Sequence, residues 1–331
     1  MVRSELCEDR SAWDEFVSSQ EGYPLQLWGW GEVKSRHGWR AVRIMVYRNQ
    51  TVIGGAQVLI KSLPWPFRAF AYIPRGPVVS DPEYNQRVLD ELTAYVNTTF
   101  HPVALSIEPS WQHMSPLKGW RQSPIHVLIP RTLILDLSKG EEGLMAHIAK
   151  KRRQDIRRSS AAVHDIHEVT SDEELHKVMK LHEMTAERAG FALHSSDYYN
   201  DVFTCLGKNS RLMAAWNDKG EPIAFCWLAV TPYTAFQLYS GASREGQQIR
   251  ANYALKWWCI TTMIHEGVAH YDLNGLLNDG ISTFKKSFAD HENQLVGTLD
   301  KPLSPWYPVW AYGFTAFKQV LRTTKKMLGR R

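Results

Sequence analysis

The chain has 331 residues, a length that favours two domains over one, with 44% apolar and 22% charged residues. That mix excludes a disordered chain, a collagen and a coiled-coil rod, and no run approaches the roughly 18 uninterrupted apolar residues of a membrane-spanning helix. The net charge of +5 is unevenly spread: residues 301–331 hold seven basic residues and no acid, and residues 150–158 hold six against Asp155. The remainder carries 26 basic and 33 acidic residues, so two basic regions point to a polyanion or a membrane surface, unless both are solvated helix faces.

In chain order, residues 11–19 read as a polar helix with Trp13, Phe16 and Val17 on one side, and a second helix is expected from about 28 to 37. Alternating residues 41–47, a polar turn at Asn49-Gln50 and residues 52–60 predict a hairpin. Strands are expected at 69–73, 104–107 and 131–137, with a helix near 82–99. Ser138-Lys-Gly-Glu-Glu opens a helix that runs through Leu144, Ile148 and Ile156 and carries the basic cluster. The second half repeats this order. A helix at 172–189 and a short one at 196–206 precede a hairpin of 212–216 and 223–230. Strand 236–240, helix 253–267 and strand 270–273 follow. Two copies of helix–hairpin–strand–helix–strand predict a duplicated α/β unit, by pattern and not by residue-level repetition.

The N-terminus carries acids and lacks an apolar segment, so no signal peptide is expected. Cys7, Cys205, Cys226 and Cys259 form no Cys-x-x-Cys pair, so a disulfide framework or zinc site is not expected and a reducing cytoplasm fits. No metal is expected among the histidines either, and no P-loop or nucleophile elbow occurs. Each half resembles the fold of acetyl-coenzyme-A-dependent N-acetyltransferases, which hold pyrophosphate on a glycine-rich turn opening a helix. The equivalent stretch, 243–253, has only Gly246, so coenzyme A is not expected as a cofactor.

Seven segments in order resemble the Fem-type aminoacyltransferases, the FemABX family. They are Leu25-Gln-Leu-Trp-Gly-Trp-Gly-Glu-Val-Lys34 with Gly38-Trp39, Tyr72-Ile-Pro-Arg-Gly-Pro-Val78 and Ser106-Ile-Glu-Pro109. Thr185-Ala-Glu-Arg-Ala-Gly-Phe191, Tyr239-Ser-Gly-Ala-Ser243, Gly267-Val-Ala-His-Tyr-Asp-Leu-Asn-Gly275 and Phe284-Lys-Lys-Ser-Phe288 complete the set. The resemblance implies an α/β fold of two tandem acetyltransferase-like (GNAT-like) domains, 1–142 plus 297–331 and 143–296. The long helical arm of some relatives has no room here, which implies the compact form.

The resemblance also implies roles. Lys34 and Arg188 match the family's basic pair on the acceptor's diphosphate, a role suited to charge-assisted hydrogen bonds; solvent-facing or helix-paired side chains are the plain alternatives. Tyr239 matches a tyrosine of the acceptor groove, although a strand tyrosine is more often core. Phe284 and Lys285 match the reaction centre, where an ammonium stabilises the oxyanion formed on an aminoacyl ester. Lys286 leaves open which lysine points inward. Glu108 stands where the family often carries Asp and is a candidate proton acceptor, though an activated ester needs no dedicated base.

The family's donor is aminoacyl-tRNA, and Lys150, Lys151, Arg152 and Arg153 are the expected phosphate contacts. Phe314, Phe317, Leu321 and Leu328, with Lys318, Arg322 and Lys325 on another face, read either as an interfacial amphipathic helix or as a helix packed on the first domain. The expected activity is peptide-bond formation on a peptidoglycan precursor, UDP-MurNAc-pentapeptide or lipid II. The expected place is the cytoplasm, with the inner membrane face if the tail is interfacial. Rival readings are the same chemistry on a peptide natural product or resistance-related precursor, and a non-catalytic nucleic-acid or membrane-surface adaptor.

Overall fold

The computed structural model describes residues 2–277 and 280–313. The chain divides into two compact units, residues 1–20, 34–130 and 295 onward in the first, and 21–33 with 131–294 in the second. In chain order the elements begin with β1 (Val2–Leu6), α1 (Arg10–Ser19), α2 (Trp28–Arg36), β2 (Arg40–Arg48) and β3 (Thr51–Ser62). β4 (Ala69–Pro74), β5 (Val78–Val79), α3 (Asn85–Phe100), β6 (Ala104–Glu108) and β7 (Arg121–Gln122) follow. Then come β8 (Arg131–Thr132), β9 (Ile134–Asp136), α4 (Gly140–His147), α5 (Lys150–Ala162), β10 (Asp165–Glu168), α6 (Asp172–Ala189) and α7 (Ser196–Leu206). β11 (Ser210–Trp216), β12 (Pro222–Val230), β13 (Thr234–Ala242), α8 (Arg244–Gln248), α9 (Ala251–His265) and β14 (His270–Asp272) lead to α10 (Gly280–Lys285), β15 (Asn293–Gln294) and β16 (Leu299–Pro302).

In the first unit the sheet order is β1-β2-β3-β4-β6-β16-β7, with β5 on β3. β2 and β3 form the expected hairpin, each buried without interruption through its middle (42–46 and 53–60), and Asn49 takes the left-handed conformation its turn requires. β4 and β6 run parallel, from Ala71 opposite Leu105 to Pro74 opposite Glu108, and β16 lies antiparallel between β6 and the edge strand β7. The amphipathic α3 buries Val88, Leu89, Leu92 and Val96 against Ile44, Ala56 and Val58 of the sheet.

The second unit repeats this plan with the order β10-β11-β12-β13-β14-β9. Its parallel pair is β13–β14, from Thr234 opposite His270 to Phe236 opposite Asp272. Helix α9 buries Leu255, Cys259, Ile260 and Met263 on β11–β12 residues such as Met213 and Cys226. The β12–β13 register slips between Trp227 and Leu228, leaving Leu238 as the extra residue of a bulge.

Three expectations change. The boundary near 142 moves to 131, because β9 pairs with β14 (Asp272 opposite Ile134), and residues 21–33 also join the second unit. The continuous strand at 131–137 is two: β8 pairs with β15, β9 with β14, and Leu133 is buried between them. The single basic helix is α4 and α5, separated where Ile148 turns to extended backbone. The amphipathic segment from Phe314 to Leu328 lies outside the described residues.

Candidate active site

Helix α6 is fixed at both ends. Ser171 and Glu174 form a reciprocal capping box at its start, and Gly190 takes the left-handed conformation at its close. Its last turn therefore holds Arg188 in a defined place, where a cation is favoured by the helix dipole. Arg188 Nη2 donates to Ala242 O at 2.7 Å, tying the guanidinium to the end of β13. The α6–β13 approach is close: a Cβ on Gly241 would lie 2.7 Å from Thr185 Oγ1 and 2.6 Å from the Phe225 ring. Beside this contact lies a cavity of about 280 Å³ whose walls include Arg188, Ser240, Asn252, Lys256 and Phe284. Phe284 is held in place edge-to-face by Tyr253 (4.9 Å) and Phe288 (5.2 Å).

Lys285, the last residue of α10, is buried, and its Nζ donates to Gly275 O at 2.9 Å and Asn274 O at 3.3 Å, in the segment following β14. Lys286 pairs instead with Glu292 and is half-exposed. Of the two, Lys285 is the one turned into the protein. Tyr239 is half-buried among Tyr199 (5.3 Å), His182 (5.6 Å) and Trp227 (5.9 Å). Burial, then the neighbouring Tyr198 and Tyr199, hold its hydroxyl well above the usual phenol range. Burial alone brings His182 down to about 4, so that ring is neutral at pH 7.

The remaining sequence-derived candidates divide between the units. In the first unit Lys34, near the end of α2, is half-buried, and burial lowers its pKa to about 8. Glu108, also in the first unit, is 2% exposed. Its carboxylate accepts from Val127 N (2.8 Å), Leu128 N (3.1 Å) and Thr298 Oγ1 (2.5 Å), and also from Tyr72 Oη. On α5 in the second unit, Lys150 and Lys151 are exposed, but Arg152 donates to Asp155 at 2.7 Å and to Tyr253 Oη at 3.2 Å. Arg153 donates to Met145 O at 3.3 Å. Helical spacing explains the split: Arg152 is three residues before buried Asp155, while Arg157 and Arg158 stay exposed with the two lysines. Lys150, Arg153 and Arg157 share one groove of about 470 Å³. Gly246 of α8 is used in packing, since a Cβ there would sit 2.0 Å from Ile223 O.

Family comparison agrees with this architecture. FemAB family matches cover residues 9–119, 126–222 and 214–313. The chain belongs to the FemAB family. Similar curated proteins include the lipid II:glycine glycyltransferase of Staphylococcus aureus, 28% identical over 211 residues, 58% of this chain and 50% of that protein. This FemAB chain thus spans about half the length of the curated relatives it matches. Among solved structures it is similar to FemX (TM-score 0.79, 20% identity, 93% of this chain and 99% of that one). It also resembles a tandem GNAT protein from the clavulanic acid pathway (TM-score 0.56, 14% identity, 92% and 99%). The fold is therefore two GNAT-like domains in an α/β chain, as the resemblance implies.

Within the second unit of this FemAB chain, Arg188 and Phe284 are brought to one cavity, and Lys285 follows directly. The cavity wall also includes Lys256 and Cys226, which the motifs did not indicate. Lys256 of α9 is 3% exposed and donates to Gln237 Oε1 (2.5 Å), Tyr271 Oη (2.9 Å) and Cys226 Sγ (3.2 Å). Its signal was present in the sequence. Lys256 stands at helical spacing from Cys259, Ile260 and Met263, a lone charge on an apolar stripe. No described helix is long and apolar enough to cross a membrane. Among the described residues no group of three or more His, Cys, Asp or Glu side chains is arranged to hold a metal.

Proposed function

We propose that this chain is a tRNA-dependent aminoacyltransferase acting on a peptidoglycan precursor. The observation that carries the reading is the second-unit cavity on which Arg188 and Phe284 converge, in a chain of the FemAB family. Arg188, its guanidinium already aligned by Ala242 O, binds the acceptor's diphosphate from the second unit. Lys34 is a cation for the acceptor within the first unit. Tyr239 lines the acceptor side. The acceptor amine attacks the ester carbonyl of the charged tRNA; the N–C bond forms, the C–O bond breaks, and the ribose hydroxyl leaves.

Lys285 stabilises the oxyanion between these events. The proton lost by the attacking ammonium passes to solvent or the leaving oxygen. Glu108, whose oxygens already take four donors, serves as a positioning anchor in this scheme. The exposed Lys150 and Lys151 contact tRNA phosphates, joined by Arg157 and Arg158; the groove that Lys150 and Arg157 share supports their part in this. No coenzyme or metal enters the scheme.

The test is direct. The protein is incubated with a mixed pool of charged tRNAs and either UDP-linked or lipid-linked pentapeptide, and the added mass is read by mass spectrometry. Addition of one aminoacyl residue that depends on charged tRNA supports the reading. No addition to either acceptor by folded protein overturns it.

A further inference from the structure

Lys256 poses a question of charge. Its hydrogen-bond partners are an amide oxygen, a phenol and a thiol, all buried. A buried ammonium needs a counter-charge, and of these groups a thiol beside a cation is the one that readily ionises near neutrality. Tyr271 is unsuited, because burial and the two nearby cysteines hold its hydroxyl well above the usual range. Cys226 Sγ receives Lys256 Nζ at 3.2 Å, lies 3.5 Å from Tyr271 Oη, and belongs to the wall of the 280 Å³ cavity.

We infer that Cys226 is a modification site, a thiolate held by Lys256 on the cavity wall and reactive toward small, uncharged electrophiles, of which hydrogen peroxide is the biological class. The sulfur attacks one peroxide oxygen, an S–O bond forms as the O–O bond breaks, and the departing hydroxide takes up a proton as water. Cys226 is oxidised to a sulfenic acid and the peroxide is reduced. The titratable groups facing the sulfur are Lys256 and Cys259 from α9 and Tyr271 from β14, with Arg211 of β11 acting on Cys259. Burial pushes the Cys226 thiol up, but hydrogen bonds from Cys259, Tyr271 and Lys256 and the lysine's charge outweigh it and bring the value down. Burial pushes Cys259 up, so it stays a thiol. This chemistry is independent of acyl transfer.

Iodoacetamide is the probe: an S–C bond forms and iodide leaves. The native protein is treated at about pH 6 and about pH 8, and alkylation of each cysteine is followed by peptide mass spectrometry. N-acetylcysteine in parallel reactions serves as the reference thiol, with a rate that rises up to about a hundredfold over two pH units. Cys226 is expected to react at both pH values with rates within about threefold of each other. Lys256→Met should make its profile steep, and Lys256→Arg should keep it flat. A wild-type Cys226 rate that climbs in parallel with the free thiol, or a Cys226 that stays unlabelled in folded protein while the half-buried Cys7 reacts, overturns the inference. The wild-type profile decides even if Lys256→Met does not fold.

Discussion

The two units are copies of one plan that use their interiors differently. In each, a parallel strand pair ends on a buried acid. Glu108 closes β6 beside β4, held by Val127, Leu128, Thr298 and Tyr72. Asp272 closes β14 beside β13, held by Thr132 Oγ1 (2.5 Å), Asn274 N (2.8 Å) and Tyr23 Oη (3.0 Å). In each, the neighbouring strand comes from outside the repeat, β16 on β6 and β9 on β14. The helices differ. The buried face of α3 is Val88, Leu89, Leu92 and Val96, while α9 adds Lys256 to an otherwise similar face. Shared features follow from the fold, so the acids are best read as anchors, and Lys256 is the charge by which the two buried helix faces differ.

The largest expected effect tests whether the segment after β14 is chemical or only structural. Lys285→Met should lower turnover on the order of a hundredfold to a thousandfold, comparable to removing an oxyanion donor, with acceptor affinity nearly kept. Lys286→Met, removing only the half-exposed pair with Glu292, should cost far less. If Lys285 merely clamps Gly275 O and Asn274 O, melting temperature falls and activity follows in proportion. Turnover, acceptor binding and melting temperature of both variants separate the cases.

The acids test the comparison itself. Glu108→Gln turns an amide N–H₂ toward backbone donors, and Asp272→Asn does the same beside Asn274 N. Each should destabilise the protein by about 1–3 kcal/mol, with turnover per folded molecule within about twofold of wild type. Matched losses in a denaturant titration would support equivalent anchors. Glu108→Gln with unchanged stability and abolished turnover would break the equivalence and restore Glu108 as a proton acceptor.

Lys34 sharpens the contrast between scaffold and site. Burial lowers its pKa to about 8, so it is largely charged at pH 7 and largely neutral at pH 9. The folded value lies below the unfolded one, so its charged form opposes folding below about pH 8 and that penalty disappears as pH rises. Diphosphate affinity must move oppositely. Acceptor affinity should fall about tenfold between pH 7 and pH 9, and Lys34→Arg should flatten that fall. An acceptor dissociation constant independent of pH in the wild type would remove Lys34 from the binding site.

Much of this was legible because the relevant signals are local. Alternation over 41–47 predicts the first hairpin and apolar runs flanking the polar turn 217–220 predict the second, and the capping residues Ser171, Glu174 and Gly190 bound α6 where the periodicity placed it. The split of 131–137 was not legible. Leu133 continues the apolar pattern, and only the separate partners β15 and β14 divide it. Nor was the ownership of residues 21–33, whose Tyr23 finds Asp272 across 249 positions. Arg152 and Arg153 read as part of a uniform basic cluster because Asp155 and Met145 O recruit them only once α5 is formed. Lys256 was not picked out from the sequence, although it is a lone charge on an apolar helix stripe, and the bulge at Leu238, beside which Gln237 meets it, is a feature of register.

The smallest expected effect concerns the first strand of each sheet. β1 lies antiparallel to β2, with an exposed Arg3–Glu5 pair at 2.7 Å and no histidine. β10 lies antiparallel to β11, and its His167 stacks on Trp216 and bonds Asp165 (2.6 Å) and Glu174 (3.0 Å). Burial lowers the His167 pKa, but the two carboxylates outweigh it and the net shift is upward. The contribution is therefore fully present below the unfolded value of about 6.5 and is lost as pH rises through the higher folded value. Because His167 is partly exposed, its size is a few tenths of a kcal/mol. Hydrogen-exchange protection factors of β10 amides should fall modestly between pH 6 and pH 8 while those of β1 do not, and His167→Gln should abolish the β10 response. A β1 strand that loosens in step with β10 would mean that the pH response belongs to the whole fold and not to this one tie between strand and α6.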